Sequence, residues 1–226
     1  MFVPSRGLAG HNFFQDDSKL GMYEERAILF HSQENDNTIA EDPVYGKYLK
    51  NKNVMEEPTF GEQIIVEGCN NKQISVGDMF AVEGGLSDLV VQITSPRLAC
   101  FHVDDCNQSS KGLAGMKRHS TTNCLAGWFT RVIKAGELRD GTRLVRTEHP
   151  HPKYTLAHLS TVLYSERDKN ALMRCTAHWE RSKSEHEELA NLPELGRYKW
   201  KEKAEELLKS MNGEGKVRRS SGKAKR

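Results

Sequence analysis

Cys100 stands at the end of a strand-like run, on a turn opened by proline and arginine. The run is Asp88-Leu89-Val90-Val91-Gln92-Ile93-Thr94 and the turn is Ser95-Pro96-Arg97-Leu98-Ala99-Cys100. A thiolate in such a place is a soft ligand for a metal, and coordination keeps the thiol deprotonated. A single cysteine in a β domain is also commonly a small buried hydrophobe, and residue type alone does not separate the two readings. Arg97 and His102 flank the cysteine. Arginine presents a fork of donors that suits a phosphate. Arg26, Arg131 and Lys134 are further candidates of this kind; each is also readable as a solvated charge, and for Arg26 and Arg131 the two readings weigh equally. A histidine at 102 is a candidate proton donor to a departing hydroxyl, or an ordinary polar side chain on a strand edge. Gly7, Gly10 and Gly61 permit close backbone approach to a ligand, or simply make turns.

Other chemistries find less support. Cys100, His102, Cys106, His119 and Cys124 are ligand types, but their spacing matches no zinc finger and no Cys-x-x-Cys occurs. Gly-x-Ser-x-Gly, P-loop and dinucleotide fingerprints are absent from the sequence. Five cysteines at irregular spacing, with no visible secretory signal, predict reduced thiols and a cytoplasmic protein. No apolar run approaches the ~20 residues needed to cross a bilayer, so no membrane partner is expected. Of the 226 residues, 37% are hydrophobic and 28% charged, which describes a globular chain on the polar side. The net charge of +2 is uneven: residues 213–226 carry six basic side chains and one acidic one, which leaves the body mildly acidic.

The elements that must position these residues fall into three parts. The first, 1–150, is β-rich, with strands predicted at 26–31, 63–66, 79–82, 89–94, 128–133 and 142–146, where Val, Ile and aromatic residues concentrate. Val76-Gly77-Asp78, Glu83-Gly84-Gly85 and Arg139-Asp140-Gly141 supply turns between them. Residues 37–49 and 107–124 read as helical or irregular. The second part, 151–212, switches to a helical period. Thr155 caps a helix with Leu156, Leu159 and Leu163 on one stripe, and Asp168 caps another bearing Leu172, Cys175 and Trp179. A short helix is predicted next at 184–189, stopped near Pro193. A last one runs from about 198, with Trp200, Ala204, Leu207, Leu208 and Met211 on one face. Helices of this size need each other or the β part to bury their stripes. The third part, 213–226, has too few apolar residues to bury and reads as a disordered basic tail. The class is α+β: a β-rich, barrel-like domain followed by a small helical bundle.

The phrases resemble the MOSC family, named for the C-terminal domain of molybdenum cofactor sulfurase, and within it the YiiM-type branch with its C-terminal three-helix domain. Gly7-Leu8-Ala9-Gly10 resembles the family's early glycine phrase and Glu25-Arg26-Ala27-Ile28-Leu29-Phe30 its Asp-Arg-Ala strand. Phe60-Gly61-Glu62-Gln63 resembles its Phe-Gly-Glu-Asn, Val76-Gly77-Asp78 its Gly-Asp strand start, and Pro96-Arg97-Leu98-Ala99-Cys100 its Pro-Arg-x-Pro-Cys. His149-Pro150-His151-Pro152-Lys153-Tyr154-Thr155 resembles the entry to the helical domain, and Leu189-Ala190-Asn191-Leu192-Pro193-Glu194-Leu195 its late Leu-x-x-Leu-Pro-x-Leu. The departures are His11 for an acid, Gln63 for Asn, Ala99 for Pro and His102 for Lys. The family also carries strands ahead of the early glycine phrase, so domain 1–150 reads as N-terminally short.

The resemblance implies a molybdenum cofactor, a molybdopterin, with Cys100 as the metal's thiolate ligand and His102 beside it in catalysis. It implies cofactor-binding roles for Gly10, Arg26, Gly61, Glu62, Gln63, Arg97 and Arg131. The implied activity is reduction of a small N-hydroxylated compound. No flavin or iron–sulfur motif is present, so the electrons are expected from a separate donor protein. The alternative is a non-catalytic carrier of the cofactor or of sulfur. Pyridoxal phosphate is not expected, because the sulfurase activity uses a separate domain for which this chain has no room. Contact between the basic tail and nucleic acid is ranked below plain solvation, since no aromatic residues interleave the charges.

Overall fold

Ile28-Leu29-Phe30-His31-Ser32 is buried at every position, so this strand must be covered on both faces and flanked on both sides. The computed structural model, which describes residues 2–3, 7–8, 24–49, 58–109, 114–164 and 176–212, places it in that way. Strands β1 (Phe2–Val3) and β2 (Gly7–Leu8) pair antiparallel as a short ribbon. Then come β3 (Ile28–Ser32), helix α1 (Gln33–Glu41), β4 (Ile64–Val66), β5 (Met79–Val82) and β6 (Val90–Pro96). Helices α2 (His102–Cys106) and α3 (Met116–Thr122) precede β7 (Trp128–Lys134) and β8 (Leu144–Glu148), and α4 (Leu156–Tyr164), α5 (Thr176–Asn191) and α6 (Glu202–Met211) complete the order. Six strands form one curled sheet, a half-barrel, in the order β4-β3-β7-β6-β5-β8.

The β3–β4 pair is parallel, with Phe30 opposite Ile64. A parallel pair needs a crossover, and the connection carrying α1 supplies it. Ser32 ends the strand and caps the helix: its hydroxyl accepts from the Asn35 amide at 3.3 Å. Antiparallel β6 and β7 form the middle of the sheet. Their register shifts between Ile93 and Ser95, so Ile93 faces Thr130 while Pro96 faces Trp128. Such an irregularity bends a strand and redirects the chain beyond it, here the turn that carries Cys100.

The helical segment shares its core with the sheet. Leu156, Leu159, Leu163, Leu189, Leu195, Trp200 and Ala204 form one buried cluster with Ile28, Phe30, Val91, Ile93 and Trp128. Each fully buried leucine contributes about 1.5–3 kcal/mol. The linker is tied in by backbone bonds, Val76 N to Tyr154 O at 3.1 Å and Leu156 N to Ile74 O at 3.0 Å. The Thr155 hydroxyl accepts from His158 N at 3.2 Å, as the sequence predicts for a cap. A second, smaller cluster gathers Ile39, Phe60, Ala99, Val103, Met116 and Leu125.

Several elements differ from expectation. Helix α1 starts at Gln33, not 37, because the Ser32 cap lies earlier than the polar run suggests. Residues 102–106 form α2, so His102 opens a helix rather than lying on a strand edge. The short helix at 184–189 is the end of the 16-residue α5. The last helix starts at Glu202; the segment Arg197–Lys201 before it is a wide turn, with Lys199 at φ 67° and Lys201 N bonded to Gly196 O at 3.2 Å. The expected helix capped by Asp168 lies mostly outside the described residues, and the tail 213–226 wholly so. No described helix is long and apolar enough to cross a membrane.

Asp78 fastens the β5 turn to β8 and the linker. Its fully buried carboxylate accepts from Ser75 N at 3.0 Å, from Arg146 Nη1 at 3.3 Å and from His149 Nδ1 at 2.6 Å. Asp78→Ala is expected to destabilise the fold by about 2–4 kcal/mol, since it strands a buried amide, the Arg146 guanidinium and the His149 ring. Urea unfolding measures this, and a loss below about 1 kcal/mol would contradict the assigned role.

Candidate functional site

Pro96 has no amide hydrogen, so it closes the β6 ladder and lets the chain peel away. The next amide, Arg97 N, is caught by the Gly127 carbonyl at 2.9 Å. Leu98 then packs on the main core and Ala99 is buried in the second, which pins the turn between two clusters. Cys100 is left half-buried between them, and its carbonyl accepts from Val103 N at 3.2 Å to start α2.

Gly127 makes the capture of Arg97 possible. It has φ +83°, and a Cβ there would lie 2.2 Å from Phe30 O and 3.2 Å from His31 Nδ1. Only glycine fits a left-handed position pressed so closely on the neighbouring strand.

Around Cys100 the charge is positive. The Arg97 guanidinium lies within electrostatic reach of the Cys100 side chain, and its carbon lies 6.0 Å from the centre of the Phe60 ring. Burial lowers the Arg97 pKa, and attraction to Cys100 and Glu62 opposes the fall. Its Nη1 is buried and has no partner. The Arg26 guanidinium sits 4.0 Å from the Phe129 ring centre and 5.2 Å from that of Tyr198. Burial lowers its pKa too; Tyr198 opposes this, Arg97 adds to the fall by repulsion, and Cys100 opposes it. Arginine stays charged through shifts of this kind. Two partly dehydrated cations and one thiol therefore lie within electrostatic reach of one another.

The remaining candidates take other places. Both Glu62 carboxylate oxygens accept backbone amides, Thr59 N at 2.9 Å and Phe60 N at 2.7 Å, and so fold the loop that holds Phe60 beside Arg97. Gln63 is bonded to β3: its Oε1 accepts from Leu29 N at 2.8 Å and its amide donates to Leu29 O at 3.0 Å. Gly61, at φ +75°, has open space where a Cβ would point. His102 is exposed at the start of α2, its ring 3.9 Å from that of Phe101. Arg131 is not brought to Cys100; its Nη2 donates to Glu194 O at 3.2 Å, between β7 and the helical segment. Lys134 pairs on the surface with Asp88 at 2.7 Å. Gly10 lies outside the described residues.

Sequence reasoning missed Phe60, Phe129 and Tyr198 as ring platforms for the guanidiniums, and Gly127 as the clamp. An aromatic residue beside a distant arginine leaves no mark in spacing. The glycine opening Gly127-Trp128-Phe129 was the only signal in the chain.

A cleft of about 410 Å³ lies elsewhere, lined by Asn35, Asn71, His119, Asn123 and Cys124 among others. Of the sequence candidates, only His119 and Cys124, from the set whose spacing matches no zinc finger, border it. Its polar groups are largely spent on one another: Asn35 Nδ2 donates to Asn71 Oδ1 at 2.9 Å, and Asn71 Nδ2 to Cys124 Sγ at 3.1 Å. Among the described residues, no three His, Cys, Asp or Glu side chains converge to hold a metal ion by themselves. Cys100 would therefore be a single protein ligand to a metal brought by other groups.

Gly127→Ala is expected to cost about 3 kcal/mol or more, from left-handed strain and collision with β3. It should also speed alkylation of Cys100, read by peptide mapping, as Arg97 loses its anchor. Unchanged stability and unchanged Cys100 labelling would contradict the clamp.

Comparison with known proteins bears on this geometry. The family model described as MOSC domain matches residues 16–145. The fold is similar to that of YiiM from Geobacillus stearothermophilus (TM-score 0.62, 20% identity, 82% of this chain and 80% of that one). It is also similar to that of YiiM from Escherichia coli (TM-score 0.61, 15% identity, 83% and 79%). A protein of Gibberella moniliformis named "Reductase" is 26% identical over 118 residues, which cover 52% of this chain and only 20% of that protein.

Proposed function

The chain belongs to the MOSC domain family, and on that premise we propose that it is a molybdenum-cofactor reductase of N-hydroxylated compounds. The observation that carries this reading is the Arg97–Cys100–Arg26 cluster, with its unpartnered guanidinium nitrogen beside a half-buried thiol. Buried cations favour a buried anion, and an orphaned Nη1 favours an oxygen acceptor. A pterin cofactor carries a phosphate, so the donor set fits, and the thiol suits the soft metal that the same cofactor brings. The "Reductase" relative is a coarser indication in the same direction.

Within this reading Cys100 holds the metal, and Arg97 and Arg26 hold anionic parts of the cofactor. The open side of Gly61 leaves room at the Phe60 loop. When bound, the cofactor supplies the two-electron chemistry: an N–OH group, two electrons and two protons give N–H and water. The electrons come from a separate donor protein. His102, exposed beside Cys100, is positioned to give a proton at the entrance. Phe101, also exposed, offers an apolar face to the substrate's carbon skeleton.

Protein made in a host that produces the cofactor should contain molybdenum and pterin in near-equal amounts. Arg97→Met should weaken cofactor retention by about 10- to 100-fold, the worth of a charge-assisted hydrogen bond. With an artificial reductant, the loaded protein should convert phenylhydroxylamine to aniline. Loading without turnover would point to a non-catalytic carrier. Loading that is indifferent to Arg97 would remove the guanidinium site.

A further inference from the structure

Arg26 is a cation without a carboxylate. Its guanidinium stands against two rings, 4.0 Å from the centre of Phe129 and 5.2 Å from that of Tyr198. Among the described residues no carboxylate meets it, and none of the charges that act on it belongs to one. Lys199 is in the same state. Its ammonium lies 5.0 Å from the centre of the same Tyr198 ring and pairs with no described carboxylate. The two charges are therefore at most about 10 Å apart. Carboxylates near the turn are spent on its backbone: Glu25 Oε2 accepts from Arg197 N at 2.6 Å and Glu202 Oε2 from Lys199 N at 3.2 Å.

An unpaired lysine at a surface is ordinary, but the backbone of this one is not. Lys199 has φ 67°, in the left-handed region that residues with long side chains rarely enter. The conformation is held from both sides. The Tyr164 hydroxyl of α4 donates to Lys199 O, and buried Trp200, the next residue, packs edge-on against the Tyr164 ring at 5.0 Å. A glycine would meet the backbone requirement without strain, so a lysine there points to a use for its side chain. Both cations border one small cleft of about 10 Å³, together with Ser95, Pro96, Phe129 and Tyr198. Neither Arg97 nor Cys100 borders it. Such a space admits about one water-sized atom. Ser95 has a hydroxyl to add as a third donor.

We propose that Arg26 and Lys199 form a seat for a carboxylate on a small molecule, and that the seat selects substrates of the Cys100 site that carry one. The substrate role rests on the reductase reading. A carboxylate is planar and can place a single oxygen in a space one atom deep; a phosphate, with its oxygens around a tetrahedral centre, is too bulky for it. The arginine fork has five N–H donors, enough to serve the cofactor toward Cys100 and the carboxylate toward Lys199. Lysine adds a point charge on a flexible stem, which lets it reach the bound oxygen. Phe129 and Tyr198 keep part of the water away, and attraction between charges is stronger there than in bulk solvent. Lys199 touches no reacting atom; its role is to choose the ligand.

The test gives molybdenum-loaded, full-length protein two substrates that differ by one carboxylate, 4-hydroxylaminobenzoate and phenylhydroxylamine, with an artificial reductant. Wild type should favour the first about tenfold or more in kcat/KM, mostly through KM, as a charge-assisted contact would. Lys199→Asn removes the charge and keeps a residue that tolerates the left-handed region, and it should bring the preference close to one. Lys199→Arg should restore most of it. Lys203→Gln, which breaks a pair with Glu206 on α6, should leave it at the wild-type value. No preference in wild type, or one that survives Lys199→Asn, would overturn the seat. So would loss of molybdenum and pterin from Lys199→Asn, which would assign Lys199 to the cofactor. If wild type holds no molybdenum or turns over neither substrate, the reductase reading fails, and benzoate on the unloaded chain decides the seat. Benzoate should shift the side-chain 15N signals of Arg26 in wild type, and about five times the concentration or more should be needed in Lys199→Asn. No shift, or the same concentration dependence in both proteins, would overturn it.

Discussion

Two guanidiniums that have lost much of their water, Arg26 and Arg97, stand beside a single thiol, and the site is organised around that loss of hydration. A folded chain keeps such a pair only where something offsets it. Here the faces of Phe129, Tyr198 and Phe60 take part of the charge, and the Cys100 sulfur takes more. What remains is an orphaned Arg97 nitrogen and an electrostatic preference for a buried anion. Under the proposed function, the thiol turns that preference from simple phosphate binding toward a metal-bearing anion.

The fold serves this cluster by fixing where one strand ends. The register shift in β6, the missing amide hydrogen of Pro96 and the left-handed Gly127 together send residues 97–100 off the sheet in one direction. Leu98 and Ala99 are then held by different cores. The helical segment is part of the same construction: its leucines complete the main core, and the wide turn 197–201 brings Tyr198 over Arg26. Detaching that segment would expose the sheet and uncover Arg26 at once.

Much of this was legible in the residues. Runs such as Ile28-Leu29-Phe30 and Val90-Val91-Gln92-Ile93 mark strands by β-branched and aromatic content, and Thr155 ahead of a leucine stripe marks a helix start. The phrase ending in Cys100 marked the candidate site. What could not be read depends on contacts between distant segments. Arg131 looked as good a phosphate ligand as Arg97, but β7 turns it toward Glu194. Glu62 and Gln63 looked like ligand contacts, but their acceptors are used on backbone amides of the loop and of β3. Helix α2 has no side-chain cap and only five residues, so nothing announces it.

These relations converge on the proposal that the Cys100 sulfur is a ligand to a molybdenum centre held between Arg97 and Arg26. X-ray absorption at the molybdenum edge, on loaded wild type and on Cys100→Ser, measures it directly. One fewer sulfur neighbour at the metal is expected in the variant, with the sulfurs of the pterin retained. An identical sulfur count in the two proteins would show that Cys100 does not bind the metal.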